Sequence, residues 1–67
     1  MDDATRYRIE ALDDAYRRTK SAGASVRTAW QEARLHLMSG AGWDGLSGDL
    51  IEEAKHTEAR SAKERSA

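Results

Sequence analysis

The stretch Ser25-Val-Arg-Thr-Ala-Trp-Gln-Glu-Ala-Arg-Leu-His-Leu-Met38 decides the fold. Within it Val26, Ala29, Trp30, Ala33 and Leu37 recur at spacings of three and four. An α-helix turns about 100° per residue, so these five share one side of a helix over residues 25–38. Ser25 is the expected N-cap, its hydroxyl accepting from a free N–H of the first turn. Leu35 and Met38 miss this stripe and project from the opposite side, near Gln31. A helix with one continuous apolar stripe needs an apolar partner, which must come from the flanking segments.

The preceding segment supplies it. Over residues 3–22, Thr5, Ile9, Leu12, Ala15, Tyr16 and Thr19 fall on one side, with Ala4, Ala11 and Ala22 beside them. Asp2, Asp3, Arg6, Glu10, Asp13, Arg17 and Lys20 share the other. Acids lead this helix and Arg17, Arg18 and Lys20 close it, as the helix dipole favours. Gly23 is the expected left-handed residue that stops it. Asp13 and Asp14 stand one turn before Arg17 and Arg18, the spacing of surface ion pairs.

On the other side, residues 39–48 carry Gly40, Gly42, Gly45 and Gly48 and read as a loop. Trp43 and Leu46 within it are too apolar for a free linker and should fold back over the open end of the helix pair. A short third helix should begin between Asp44 and Asp49, with Leu50, Ile51 and Ala54 on its inner side. No large apolar residue follows Ala54. The division expected is therefore a helical domain over residues 1–56 and a charged C-terminal tail over 57–67, frayed or disordered. The fold class is all-α, a helical hairpin with a short third helix laid across it. Its expected core is Leu12, Tyr16, Val26, Trp30, Leu37, Leu50 and Ile51. A fully buried Trp30 would cost about 3–5 kcal/mol on truncation to alanine.

Composition narrows the function. With 67 residues there is room for one domain, and such a domain is marginally stable unless reinforced. Cysteine is absent, which removes disulfides and thiolate zinc sites. Proline is absent too, as suits an all-helical chain. Eleven basic residues face twelve acidic ones, a balance that disfavours both a dedicated nucleic-acid binder and a binder of anionic membranes. No apolar run approaches a membrane span, and the acidic opening Met1-Asp2-Asp3 lacks the order of a signal peptide. The expected setting is cytoplasmic.

Four local patterns invite chemistry. Gly40, Gly42 and Gly45 spell G-x-G-x-x-G, but the dinucleotide fingerprint works between a strand and a helix, and here a helix precedes it. Trp43-Asp44-Gly45 is a W-x-G turn between helices, and in this it resembles the W-x-G family of secreted helical hairpins. That resemblance implies two long arms and a tyrosine-and-acid export motif after the second. Here Gly23 splits the first arm, the second is short, and no tyrosine follows Tyr16. Glu53 with His56, and Glu32 with His36, have the helical spacing of carboxylate–imidazole metal ligands, but a di-iron bundle needs further inward carboxylates. The basic residues Arg17, Arg18, Lys20 and Arg27 define a rival reading as a nucleic-acid-binding accessory protein. Against it, the third helix is acidic at Asp49, Glu52, Glu53 and Glu58, which would repel a phosphate backbone. No G-x-S-x-G nucleophile elbow is present.

The expectation is a non-catalytic protein without cofactor or metal that binds another protein or itself. The candidate contact residues are Leu35, Met38, Tyr7, Gln31 and Trp43. Leu35, Met38 and Tyr7 lie off the main stripes, and exposed apolar residues at helical spacing serve helix-in-groove or dimer contacts. The competing reading is that the third helix covers Leu35 and Met38.

Overall fold

The computed structural model describes residues 2–19 and 23–65. Lys20 and Ala22, assigned above to the first helix, lie outside them. Three helices make up the described chain: α1 Asp3–Arg18, α2 Ala24–Met38 and α3 Asp49–Arg65. The all-α mini-bundle is as expected, and the inner face of α1 is the one its periodicity marks, with Thr5, Ile9, Ala11, Leu12 and Ala15 buried.

The helix ends follow from local hydrogen bonding. Asp2 caps α1, its Oδ1 accepting from the backbone N–H of Thr5 at 2.8 Å. That bond holds the Asp2 carboxyl below the usual carboxylate range. At the other end Thr19 closes the helix, occupying carbonyls that the last turn leaves free. Its hydroxyl donates to the Ala15 carbonyl at 2.9 Å and its backbone N–H to that of Tyr16 at 3.1 Å. α1 thus ends at Arg18, before residue 22. Gly23 is not a left-handed stop: its φ is −86° and it is the N-cap of α2. Ser25 correspondingly lies inside the first turn, and α2 has no side-chain cap. α3 starts at Asp49, where the Gly48 carbonyl accepts from the Glu52 N–H at 3.0 Å, so Asp44 belongs to the connection.

Contacts between named residues set the topology. Tyr16 stacks on Trp30 and Asp13 meets Arg34, so α2 runs antiparallel to α1. Arg18 pairs with Glu53, Arg8 with Glu58, and Tyr7 lies beneath Arg65, so α3 is antiparallel to α1 as well. α1 is therefore the central element, packed most extensively on α3, while α2 and α3 run parallel and scarcely touch. α1 and α2 form the expected antiparallel hairpin, and the third helix packs along α1 instead of lying across both. A parallel pair needs a connection that returns along its full length. Residues 39–48 can span about 33 Å when extended, against a length of about 22 Å for α2.

That crossover explains Trp43 and Leu46. Both are half-buried and fold back against the core, as expected of residues too apolar for a free linker. Trp43 Nε1 donates to Glu58 Oε1 of α3 at 2.9 Å, and His36 Nε2 of α2 lies 2.6 Å from the Asp44 carbonyl oxygen. Gly42 has φ +66°, and a Cβ there would sit 3.6 Å from the Arg8 guanidinium. Arg8 Nε is buried 3.4 Å from Glu58 Oε2, an ion pair without the alignment of a hydrogen bond. Glu58 thus joins α1, α3 and the crossover.

The core consists of Ile9, Leu12, Ala15, Ala33, Leu37, Leu50, Ile51 and Ala54. Leu12, Leu37, Leu50 and Ile51 were expected there. Tyr16, Val26 and Trp30 are half-buried around it instead. The third helix is not short. It continues past Ala54 to Arg65, and its inner side extends to Thr57, which is buried although polar. The Thr57 hydroxyl donates to the Glu53 carbonyl at 3.0 Å and accepts from the Arg18 guanidinium. Residues 57–65, expected in the tail, are thus helical, packed at Thr57 and Glu58 and largely exposed from Ala59 onward.

Candidate functional site: the outer face of α2

α2 buries Ala33 and Leu37 against the rest of the protein. Half a turn away, Leu35 is 69% exposed and Met38 51% exposed, and these are the large apolar residues left in solvent among the described residues. The third helix does not cover them. An open groove of about 320 Å³ runs between them, lined by Trp30, Gln31, Arg34, Leu35 and Met38.

One wall of this groove is held by contacts that the sequence reading did not find. The Trp30 indole lies parallel to the Tyr16 ring, with centroids 4.6 Å apart and 7° between planes, a stacked aromatic pair. Its Nε1 donates to Asp13 Oδ1 at 2.7 Å. The same carboxylate accepts from Arg34 Nε at 3.1 Å, and the Arg34 guanidinium lies 5.8 Å from the centre of the Trp30 ring. Asp13 is therefore an interhelical anchor and not a surface partner of Arg17. Of the adjacent pair, Asp14 is the one that pairs along α1, with Arg17 at 3.5 Å and Arg18 at 3.3 Å. Spacing within one helix favours the i+4 cation, but it cannot reveal an indole N–H arriving from another helix.

Of the candidate contact residues, Gln31, Leu35 and Met38 come together on this face. Tyr7 does not join them. It is half-buried between α1 and α3, with the Arg65 guanidinium 3.9 Å from its ring centre and that of Arg6 at 5.3 Å, both within cation–π range. Trp43 faces the core and Glu58.

The remaining chemical candidates are taken up structurally. Glu53 of the E-x-x-H pair meets Arg18 at 3.0 Å and Arg60 at 3.9 Å, while His56 is exposed. His36 serves the crossover. Among the described residues no three His, Asp or Glu side chains converge as a metal site would require. The glycines of the G-x-G-x-x-G pattern all have positive φ and shape the crossover, not a strand-to-helix turn. Arg17 and Arg18 are engaged by acids, and Arg27 is exposed. No helix among the described residues is long and apolar enough to cross a membrane. Comparison with protein-family models, curated proteins and solved structures finds no match to this chain.

Proposed function

We propose that this protein is a small, non-catalytic protein-binding module, cytoplasmic and of adaptor or inhibitor type, that acts through the outer face of α2. The observation that carries this reading is the exposure of Leu35 and Met38 on one side of a helix whose opposite side is already buried. Isolated exposed apolar residues are ordinary. Here two neighbours stand beside an indole fixed by Asp13 and Tyr16. Together they make a preorganised apolar anchor with a polar rim, as partner-binding surfaces have.

Leu35→Asp tests it. At a site this exposed the substitution should cost about 0.5–1.5 kcal/mol, from the lower helix propensity of Asp and its charge in the last turn of α2. In a capture experiment from native lysate, wild type should retain a partner that folded Leu35→Asp loses. Recovery of the same proteins by both would refute the reading. Unfolding of Leu35→Asp would place Leu35 in the core and refute it equally. The nucleic-acid alternative has less support, because Arg18 is bound to Asp14 and Glu53. A gel shift at low salt should show no complex, whereas a phosphate-driven binder would show one that weakens steeply with salt.

A further inference from the structure

The outer midline of α2 carries more order than two exposed apolar side chains. Ala24, Thr28, Gln31, Leu35 and Met38 are all exposed and recur at spacings of four, three, four and three. This is the alternation of the a and d positions of a two-stranded coiled coil. No charge stands on that line. The exposed side of α1, by contrast, presents Asp3, Arg6, Glu10 and Arg17, and that of α3 presents Glu52, Arg60, Lys63 and Glu64. The charges of α2 flank the line and segregate by sign, with Arg27 and Arg34 on one side and Glu32 on the other. Arg34 is bound to Asp13. Among the described residues, neither Arg27 nor Glu32 makes an ion pair within the chain.

We infer that this face is the seam of a parallel, two-fold symmetric dimer of the chain, in which Arg27 of each copy pairs with Glu32 of the other. The inference rests on the reading of the α2 face as a docking surface and names a second copy as its occupant. In the coiled-coil register Arg27 is a g residue and Glu32 the e residue five positions on, the pair that meets across a parallel seam. An antiparallel pairing would set the arginine flanks against each other and the glutamate flanks likewise, so like charges would meet. The charge pattern therefore selects the second copy and its direction together. Thr28 and Gln31 at the centre of the seam, and a contact about 22 Å long, keep the interface below the roughly 800 Å² per partner of a standard stable complex. The dimer should accordingly be weak, with a dissociation constant between about 10 μM and about 1 mM.

Sedimentation equilibrium across that concentration range reads the mass directly. Wild type should pass from monomer to dimer, and Leu35→Asp should remain a monomer with unchanged helix content. Arg27→Glu should weaken the dimer about tenfold, because two attractive pairs become repulsive. Arg27→Glu combined with Glu32→Arg should restore it. The chain has no cysteine of its own, so Met38→Cys provides a clean cross-link. A parallel seam brings position 38 next to its own counterpart, within the Cα spacing a disulfide accepts, and oxidation should yield a covalent dimer. A wild type that stays monomeric throughout would overturn the dimer. Capture of a different protein through Leu35 would then still uphold the proposed function. A dimer that Leu35→Asp leaves intact would put the seam elsewhere. A dimer strengthened by Arg27→Glu and not cross-linked through Met38→Cys would be antiparallel, and the inferred seam would be wrong.

Discussion

Replacing Asp13 by alanine should destabilise the fold by about 1–2 kcal/mol, on the scale of one charge-assisted hydrogen bond. The magnitude follows from what the carboxylate does. It accepts the Trp30 indole N–H at 2.7 Å. A hydrogen bond to a charged group contributes about 1.5–3 kcal/mol. The Asp13 side chain is 26% exposed, so the lower end applies. The Arg34 side chain is 40% exposed. Its pairing with Asp13 is therefore screened by solvent and adds no more than about 0.5 kcal/mol. Alanine returns about 0.6 kcal/mol through its higher helix propensity. A chain of this length has a total stability of about 3–10 kcal/mol, so the loss is a sizeable fraction of it. It corresponds to a fall in Tm of about 4–16 °C. Thermal and urea unfolding followed by far-ultraviolet circular dichroism measures the change. A double-mutant cycle with Trp30→Phe isolates the bond, since phenylalanine keeps a ring against Tyr16 and lacks the N–H. The coupling energy should be about 1 kcal/mol or more. If Asp13→Ala melts with the parent, or if its effect is undiminished in the Trp30→Phe background, then Asp13 does not hold α2 to α1 through the indole.

Three further outcomes follow from the same packing. Removal of residues 57–65 should abolish cooperative unfolding, because it deletes buried Thr57, the Glu58 junction to Arg8 and Trp43, and the Arg65 contact to Tyr7. A truncated chain that melts like the parent would refute a structural role for this segment. Trp30→Ala should cost about 2–4 kcal/mol in urea denaturation, since it removes the Tyr16 stack, partial burial and the indole bond to Asp13 together. Asp2→Ala should lower stability near neutral pH, and the gap to wild type should close in acid. The folded Asp2 carboxyl sits below its ordinary range, so its contribution is fully present above that range and is lost as pH falls below it, through the depressed folded value. Asp2→Asn, which caps without ionising, should keep the cap at all pH values, as urea midpoints measured across the acid range would show.

Sequence periodicity determined what is local. The inner side of α1 from Thr5 to Ala15, the buried positions Ala33 and Leu37 of α2, the glycine-rich connection and the place of Leu35 and Met38 off the inner stripe of α2 are all legible there. The reason is that helical periodicity records which residues share a helix face. It does not record which neighbour that face meets. Only the tertiary structure decided that α1 sits between the other two helices, that Asp13 turns from Arg17 toward Trp30 and Arg34, and that α3 leaves Leu35 and Met38 uncovered. The length of α3 was hidden for a related reason. Ala54 and Thr57 carry little hydropathy signal, yet their small side chains let α3 approach α1 closely. The Thr57 hydroxyl is satisfied by partners on both helices, as a buried polar group must be. Burial of this kind depends on where another segment of the chain arrives, and no window of local sequence contains it.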